Sequence, residues 1–171
     1  MTEIQPSDAE LDAYRAPDPK HPPIKSIEDV IVFKLARLTG LNEHMGHHWS
    51  EKLFDLSLNE WRLLALTQAY GPARPGDLAE LMLMDKSQLS RLIKALTGKS
   101  LIKSKVAPKD ARAVVLSLTT KGQALYGDVI EEVVHRNDRV LAPLSAAEVE
   151  VFDEMLGRLL EHNLARLVKE D

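Results

Sequence analysis

A mainly α fold carrying one short β-hairpin is what this sequence predicts, and three observations carry it. Capping boxes recur along the chain, at Ser57-Leu-Asn-Glu60, Asp85-Lys-Ser-Gln88, Thr120-Lys-Gly-Gln123 and Ser145-Ala-Ala-Glu148. In each, a hydroxyl or carboxylate accepts a free N–H at a helix start, and an acid or amide three residues on reciprocates. Between these starts apolar residues recur with helical spacing, the mark of a face turned to a core. Only residues 101–118 break the pattern, with LIKSKV and AVVLSL separated by APKDAR. β-Branched or alternating runs around Pro108 and the Asp110–Arg112 cluster read as two strands and a turn. A lone hairpin is marginal in water, so this one must pack on the helices beside it.

Taken in order, residues 1–25 hold five of the nine prolines and form an irregular arm, ordered only where something holds it down. Residues 26–56 make a first long helix, headed by Ser26-Ile-Glu-Asp29. LNEWRLLALTQAY follows the Ser57 cap and stops at Gly71-Pro72. RPGDLAELM is a short helix with Pro75 in its first turn and Leu78, Leu81 and Met82 as its apolar face. A tight link leads to the helix capped by Asp85, where Leu89, Leu92, Ile93 and Leu96 form one stripe. The hairpin comes next, and two helices, opening near Thr120 and Ser145, complete the chain. The last of these lines up Val149, Phe152, Leu156, Leu159, Leu160, Leu164 and Leu167, a stripe wide enough to ask for a partner.

Composition narrows the function. The 171 residues are 44% hydrophobic, enough for a core, but only 5% aromatic, which weighs against a stacking platform for single strands. Without cysteine there are no disulfides, thiol chemistry or Cys-type zinc sites. No apolar run has the length of a membrane span and the N-terminus lacks a basic, then hydrophobic, leader, so a cytoplasmic protein is expected. Neither a Gly-rich phosphate loop nor a Ser–His–Asp ordering stands out, so no enzyme and no cofactor is expected.

Charge is sorted along the chain. Between Asp85 and Arg112 stand Lys86, Arg91, Lys94, Lys99, Lys103, Lys105, Lys109 and Arg112 against two acids, a local excess of +6 in a chain of net charge −4. The rest therefore carries −10. On the polar face of the Asp85 helix, Ser87, Gln88, Ser90, Arg91 and Lys94 are the residue types that bond base edges and phosphates. Such a face also serves simply to keep a helix solvated. A basic hairpin directly after the second helix of a helix–turn–helix tips the balance, because it is the wing of a winged helix-turn-helix. Its tip, Lys109-Asp110-Ala111-Arg112, would reach toward the minor groove, with the Asp110 carboxylate bracing the Arg112 guanidinium.

The run LAELMLMDKSQLSRLIKALTGKSLIKSKVAPKDARAVVLSLTTKG, and above all Asp110-x-Arg112 followed by Leu118-Thr119 and Gly122, resembles the MarR (multiple antibiotic resistance regulator) family of winged helix-turn-helix transcription factors. The resemblance covers roughly residues 28 to 168; the chain departs from it in Lys109 after Ala107-Pro108 and in the Pro-rich arm. It implies a homodimer reading a palindromic operator in double-stranded DNA. The winged lobe would span 57–119, and residues 26–56 and 120–171 would form a helical dimerisation region. It also implies a repressor released by a small aromatic carboxylate or phenol. His44, His47, His48 and Trp49, with Trp61 and Arg62, are the candidates to line that cleft. Tyr14, Arg15 and Lys20 of the arm could fold over it. Histidines at a helix end also cap carbonyls or sit in a dimer seam. His44 and His48 share one helix face, but with no second ligand cluster no metal site is assigned; His135 and His162 stand alone and read as structural. The alternative function is a non-specific DNA-binding or protein-interaction module.

Overall fold

The computed structural model describes residues 23–107 and 110–170, and of these the backbone alone at 46–48, 107, 110–112 and 167–170. The arm therefore lies outside the described residues up to position 22, with Tyr14, Arg15 and Lys20, and so do Pro108 and Lys109 at the wing tip. The chain divides into two compact units, residues 1–46 and 47–171.

In the first unit, Ser26 forms a complete capping box with Asp29, whose carboxylate accepts the Ser26 N–H at 2.9 Å and the Lys25 N–H at 2.8 Å. The box does not head the long helix as the sequence suggested. It closes a single 3-10 turn, Ile27–Asp29, and Val30 is extended before α1, Ile31–Phe54, begins. The four-residue spacing of the box fits one turn of either helix type, so it marks a turn without deciding whether a long helix continues from it. The α1 residues of this unit leave Ile31, Val32, Leu38, Leu41 and Met45 exposed.

The second unit holds the end of α1 and then α2 (Leu58–Tyr70), α3 (Pro75–Leu81), α4 (Lys86–Gly98), β1 (Ile102–Ala107), β2 (Asp110–Leu118), α5 (Thr120–Leu141) and α6 (Ala146–Glu170). Boxes at Ser57, Asp85 and Ser145 cap α2, α4 and α6. For α5 the cap falls one residue earlier than the sequence pattern implies, on Thr119, whose hydroxyl accepts the Gly122 N–H at 3.0 Å. Its third residue is then a glycine, which has no side chain to reciprocate. The core joins Leu63 and Leu64 of α2, Leu78 and Ala79 of α3, Leu89 and Leu96 of α4, Ile102, Leu116 and Leu118 of the hairpin and Val129 of α5. Of the expected α3 face only Leu78 is fully buried; Leu81, the last residue of this two-turn helix, is 49% exposed.

β1 and β2 pair antiparallel from Ile102↔Leu118 to Ala107↔Asp110, with an irregularity after Val106. The strands thus extend further than the sequence suggested, and the Asp110–Arg112 cluster begins β2 instead of forming the turn. What holds the hairpin to the helices is a backbone bridge: Ala73 and Leu116 exchange N–H···O bonds of 3.2 and 2.8 Å. Buried Ala73 lies in the link between α2 and α3, so the wing base is sewn to the helix–turn–helix by a third, one-residue strand.

Candidate nucleic-acid interface

α4 is amphipathic. Leu89 and Leu96 are buried, and Leu92 and Ile93 pack on the same core. With that side fixed, Ser87, Gln88, Ser90, Arg91 and Lys94 are all exposed on the outer face. The Asp85 carboxylate organises the first turn, accepting from Ser87 Oγ at 2.7 Å and from the Gln88 N–H at 2.8 Å. The Ser87 hydroxyl and the Gln88 and Ser87 N–H groups, helped by Arg91, hold this carboxyl below its ordinary pKa. A depressed pKa means the cap is fully present above the unfolded-state value and is lost as pH falls through the folded one. The Gln88 side chain returns the bond, its Oε1 accepting from the Asp85 N–H at 3.3 Å. The Gln88 Oε1 keeps a second lone pair beyond this long cap bond, so the exposed side chain still offers an acceptor beside its amide N–H donors.

The hairpin adds exposed Lys103 and Lys105, which share one face of β1. Asp110 and Arg112 are placed by backbone at the start of β2; their side chains, and Lys109, lie outside the described residues. One cation of the sorted stretch is turned elsewhere. Lys99 Nζ reaches Glu60 Oε2 at 3.3 Å and Asp55 Oδ2 at 3.5 Å, and donates to the Asp55 carbonyl. The Glu60 carboxylate is 10% exposed and also accepts the Ser57 N–H at 2.7 Å. Lys99 thus neutralises a buried acid and is withdrawn from the basic surface. Lys99→Met is expected to cost about 1–3 kcal/mol in urea unfolding, because Glu60 is left charged with one bond fewer.

Of the effector candidates, the structure brings Trp49 and Trp61 together, ring centroids 6.0 Å apart, with Phe54 edge-on to Trp49 at 5.7 Å. Arg136 of α5, which no sequence pattern singled out, lies over the Trp49 ring at 5.1 Å and near Glu132 at 4.0 Å. Arg62 and Trp61 line a cleft of about 360 Å³ with Leu66, Leu81 and Met82. Two buried polar atoms among the described residues lack a hydrogen bond, Ser50 Oγ and Trp61 Nε1. His44 is exposed on the first unit, and the side chains of His47 and His48 lie outside the described residues. Among the described residues no three His, Asp or Glu groups gather as metal ligands. His135 and His162 are exposed on α5 and α6.

Two helices joined by a four-residue turn, a basic outer face on the second and a hairpin pinned beside them define a winged helix-turn-helix DNA-binding protein. The MarR family model matches residues 54–113. The chain is similar to the HTH-type transcriptional regulator YxaD of Bacillus subtilis (strain 168), 33% identical over 105 residues, which are 61% of this chain and 73% of that protein. MhqR of the same organism, also an HTH-type transcriptional regulator, is 27% identical over 135 residues, covering 79% and 91%. The S. aureus MepR–DNA complex shares the fold, with a TM-score of 0.69 at 20% identity over 80% of this chain and 99% of that one. The chain belongs to the MarR family and is a DNA-binding transcriptional regulator. Its relatives are regulators, not enzymes, and among the described residues no helix is long and apolar enough to cross a membrane.

Proposed function

We propose that the protein is a dimeric repressor in the cytoplasm that reads a palindromic operator and is released by a small aromatic carboxylate or phenol. The observation that carries the DNA-reading part is the outer face of α4: five side chains able to bond bases and phosphates, all exposed, on a helix whose other face is locked into the core. Ser87, Gln88, Ser90, Arg91 and Lys94 enter the major groove, while Lys109, Asp110 and Arg112 place the wing on the backbone and minor groove. Residues 57–119 are the reading lobe, and 26–56 with 120–171 the dimerisation region. Support for the dimer comes from α6, where Val151, Met155, Leu159, Leu160 and Leu164 are each half exposed or nearly so, apolar surface that one chain leaves bare. Two lobes one helical turn apart, about 34 Å, match successive major grooves.

The effector is assigned to Trp49 near the end of α1 and to Trp61 and Arg62 of α2. Arg62 supplies a cation beside an apolar cleft that Trp61 also lines, a setting for a carboxylate or phenolate carried on a ring. Ligand shifts the population toward a lobe spacing that misses one groove, and it does so only by its differential affinity for that state.

Titrating a fluorescent duplex from upstream of the gene against a scrambled duplex tests the reading. Selective binding supports a specific regulator; equal, weak binding would reduce the basic face to a non-specific module. Arg112→Ala is expected to weaken operator binding by about 1–3 kcal/mol in fluorescence anisotropy while light scattering still reports a dimer. Unchanged affinity removes the wing from the interface.

A further inference from the structure

The turn between α3 and α4 holds a side chain that the fold does not use. α3 closes in a Schellman motif: the Leu83 N–H bonds the Glu80 carbonyl and the Met84 N–H the Ala79 carbonyl, both at 3.1 Å. The residue just past the helix in such a motif is left-handed, and glycine or asparagine is the usual occupant. Here it is Leu83, at φ 50°. Its bulk does not serve the core either. Met82 and Met84 on either side pack against the core, whereas Leu83 is 77% exposed. A glycine would make the same turn with less backbone strain and with no apolar side chain in water.

What sets Leu83 apart is where the turn delivers it. It stands two residues before Asp85, the cap of α4. It also walls the same cleft as Gln88 and Arg91, two side chains of the exposed outer face. The N-terminal residues of a recognition helix are the ones that approach base edges. In the major groove those edges present donors, acceptors and one apolar group, the C5 methyl of thymine. An exposed leucine at that end of the helix matches the methyl and none of the polar groups.

We propose that Leu83 is a further specificity-determining residue, packing on the C5 methyl of a thymine beside the bases that Gln88 and Arg91 reach. Each half of the operator then prefers thymine at one position that no hydrogen bond reads. The leucine leaves water only when DNA is bound, so its burial contributes to recognition and not to folding. This assignment rests on α4 being the helix that enters the major groove.

The test starts with the full chain selecting a duplex from a random-sequence pool. Each thymine of that duplex is replaced in turn by deoxyuridine, which removes the methyl and keeps every hydrogen-bonding group. Affinities are read by fluorescence anisotropy for the parent chain, Leu83→Asn and Arg91→Ala. Asparagine accepts the left-handed turn, so Leu83→Asn should melt no lower than the parent; Leu83→Gly is a second variant with the same expectation. One thymine is expected whose replacement weakens the parent about fourfold for each half-site carrying it, the value of burying roughly one methyl group. The same replacement should leave Leu83→Asn unaffected, and all others should act alike on both proteins. A duplex with no such thymine, or one whose effect persists in both Leu83 variants, overturns the assignment. So does a loss on Leu83→Asn that is equal for every duplex, which would put Leu83 against a deoxyribose. Arg91→Ala separates this failure from that of the underlying reading. If Arg91→Ala weakens binding and Leu83→Asn does not, α4 reads the groove without Leu83. If neither does, α4 is not in the groove and both assignments fall.

Discussion

Leu96→Ala lowers stability by about 2–5 kcal/mol in urea unfolding, the cost of removing a fully buried leucine and leaving a cavity behind. The consequence for function depends on where Leu96 sits. It anchors the C-terminal half of α4, Leu89 anchors the N-terminal half, and between them they fix which face meets solvent. Operator affinity of the variant, measured well below its unfolding midpoint, should nevertheless stay close to that of the parent, because every contact proposed for α4 lies on its opposite face. A fall in affinity larger than the unfolded fraction accounts for would mean that α4 rotates when the cavity forms. A loss below about 1 kcal/mol would mean that the neighbouring side chains collapse into the space.

Gly122→Ala is expected to cost about 2–3 kcal/mol, or roughly 4–12 °C in the thermal midpoint of a chain this size. A Cβ at Gly122 would stand 2.0 Å from the Leu101 carbonyl oxygen. That oxygen belongs to backbone and cannot swing aside; it also accepts the Thr119 N–H at 3.0 Å. Relief must come by moving the start of α5 away from the base of the hairpin, which stretches the Thr119 cap as well. Gly127, in the same helix, has nothing within 4 Å of a built Cβ. Gly127→Ala is therefore the internal control, and it should raise stability slightly through helix propensity. Equal melting behaviour of the two alanine variants would refute the close approach.

The features legible in the sequence are those that local chemistry decides. The Asp85 cap, the Leu89–Leu92–Ile93–Leu96 stripe and the polar run opposite it all act within two or three turns, and a three-turn helix has enough repeats to reveal its buried side. α3 is too short for that, and periodicity cannot separate buried Leu78 from exposed Leu81. The Thr119 cap escapes a search for capping boxes because glycine stands where the reciprocating side chain would be. Lys99 counts toward the basic surface in the sequence because a charge run records sign but not direction; its partner Glu60 belongs to another helix. Arg136 over Trp49 is illegible for the same reason. Ala73 pairs with Leu116 through backbone alone, a contact that no side-chain pattern announces. For α4 the sequence identifies the exposed face, because the buried stripe opposite it is complete.

That Ala73–Leu116 bridge makes the wing a lever. Leu116 is six residues from Asp110 along β2, so the tip stands about 20 Å from its pivot at roughly 3.3 Å per residue. A tilt of only about 10° at the pivot then sweeps the tip through more than about 3 Å, the full reach of a hydrogen bond. Small strain arriving at the α2–α3 link is amplified at the far end of the arm, where the backbone of the operator would be gripped or let go.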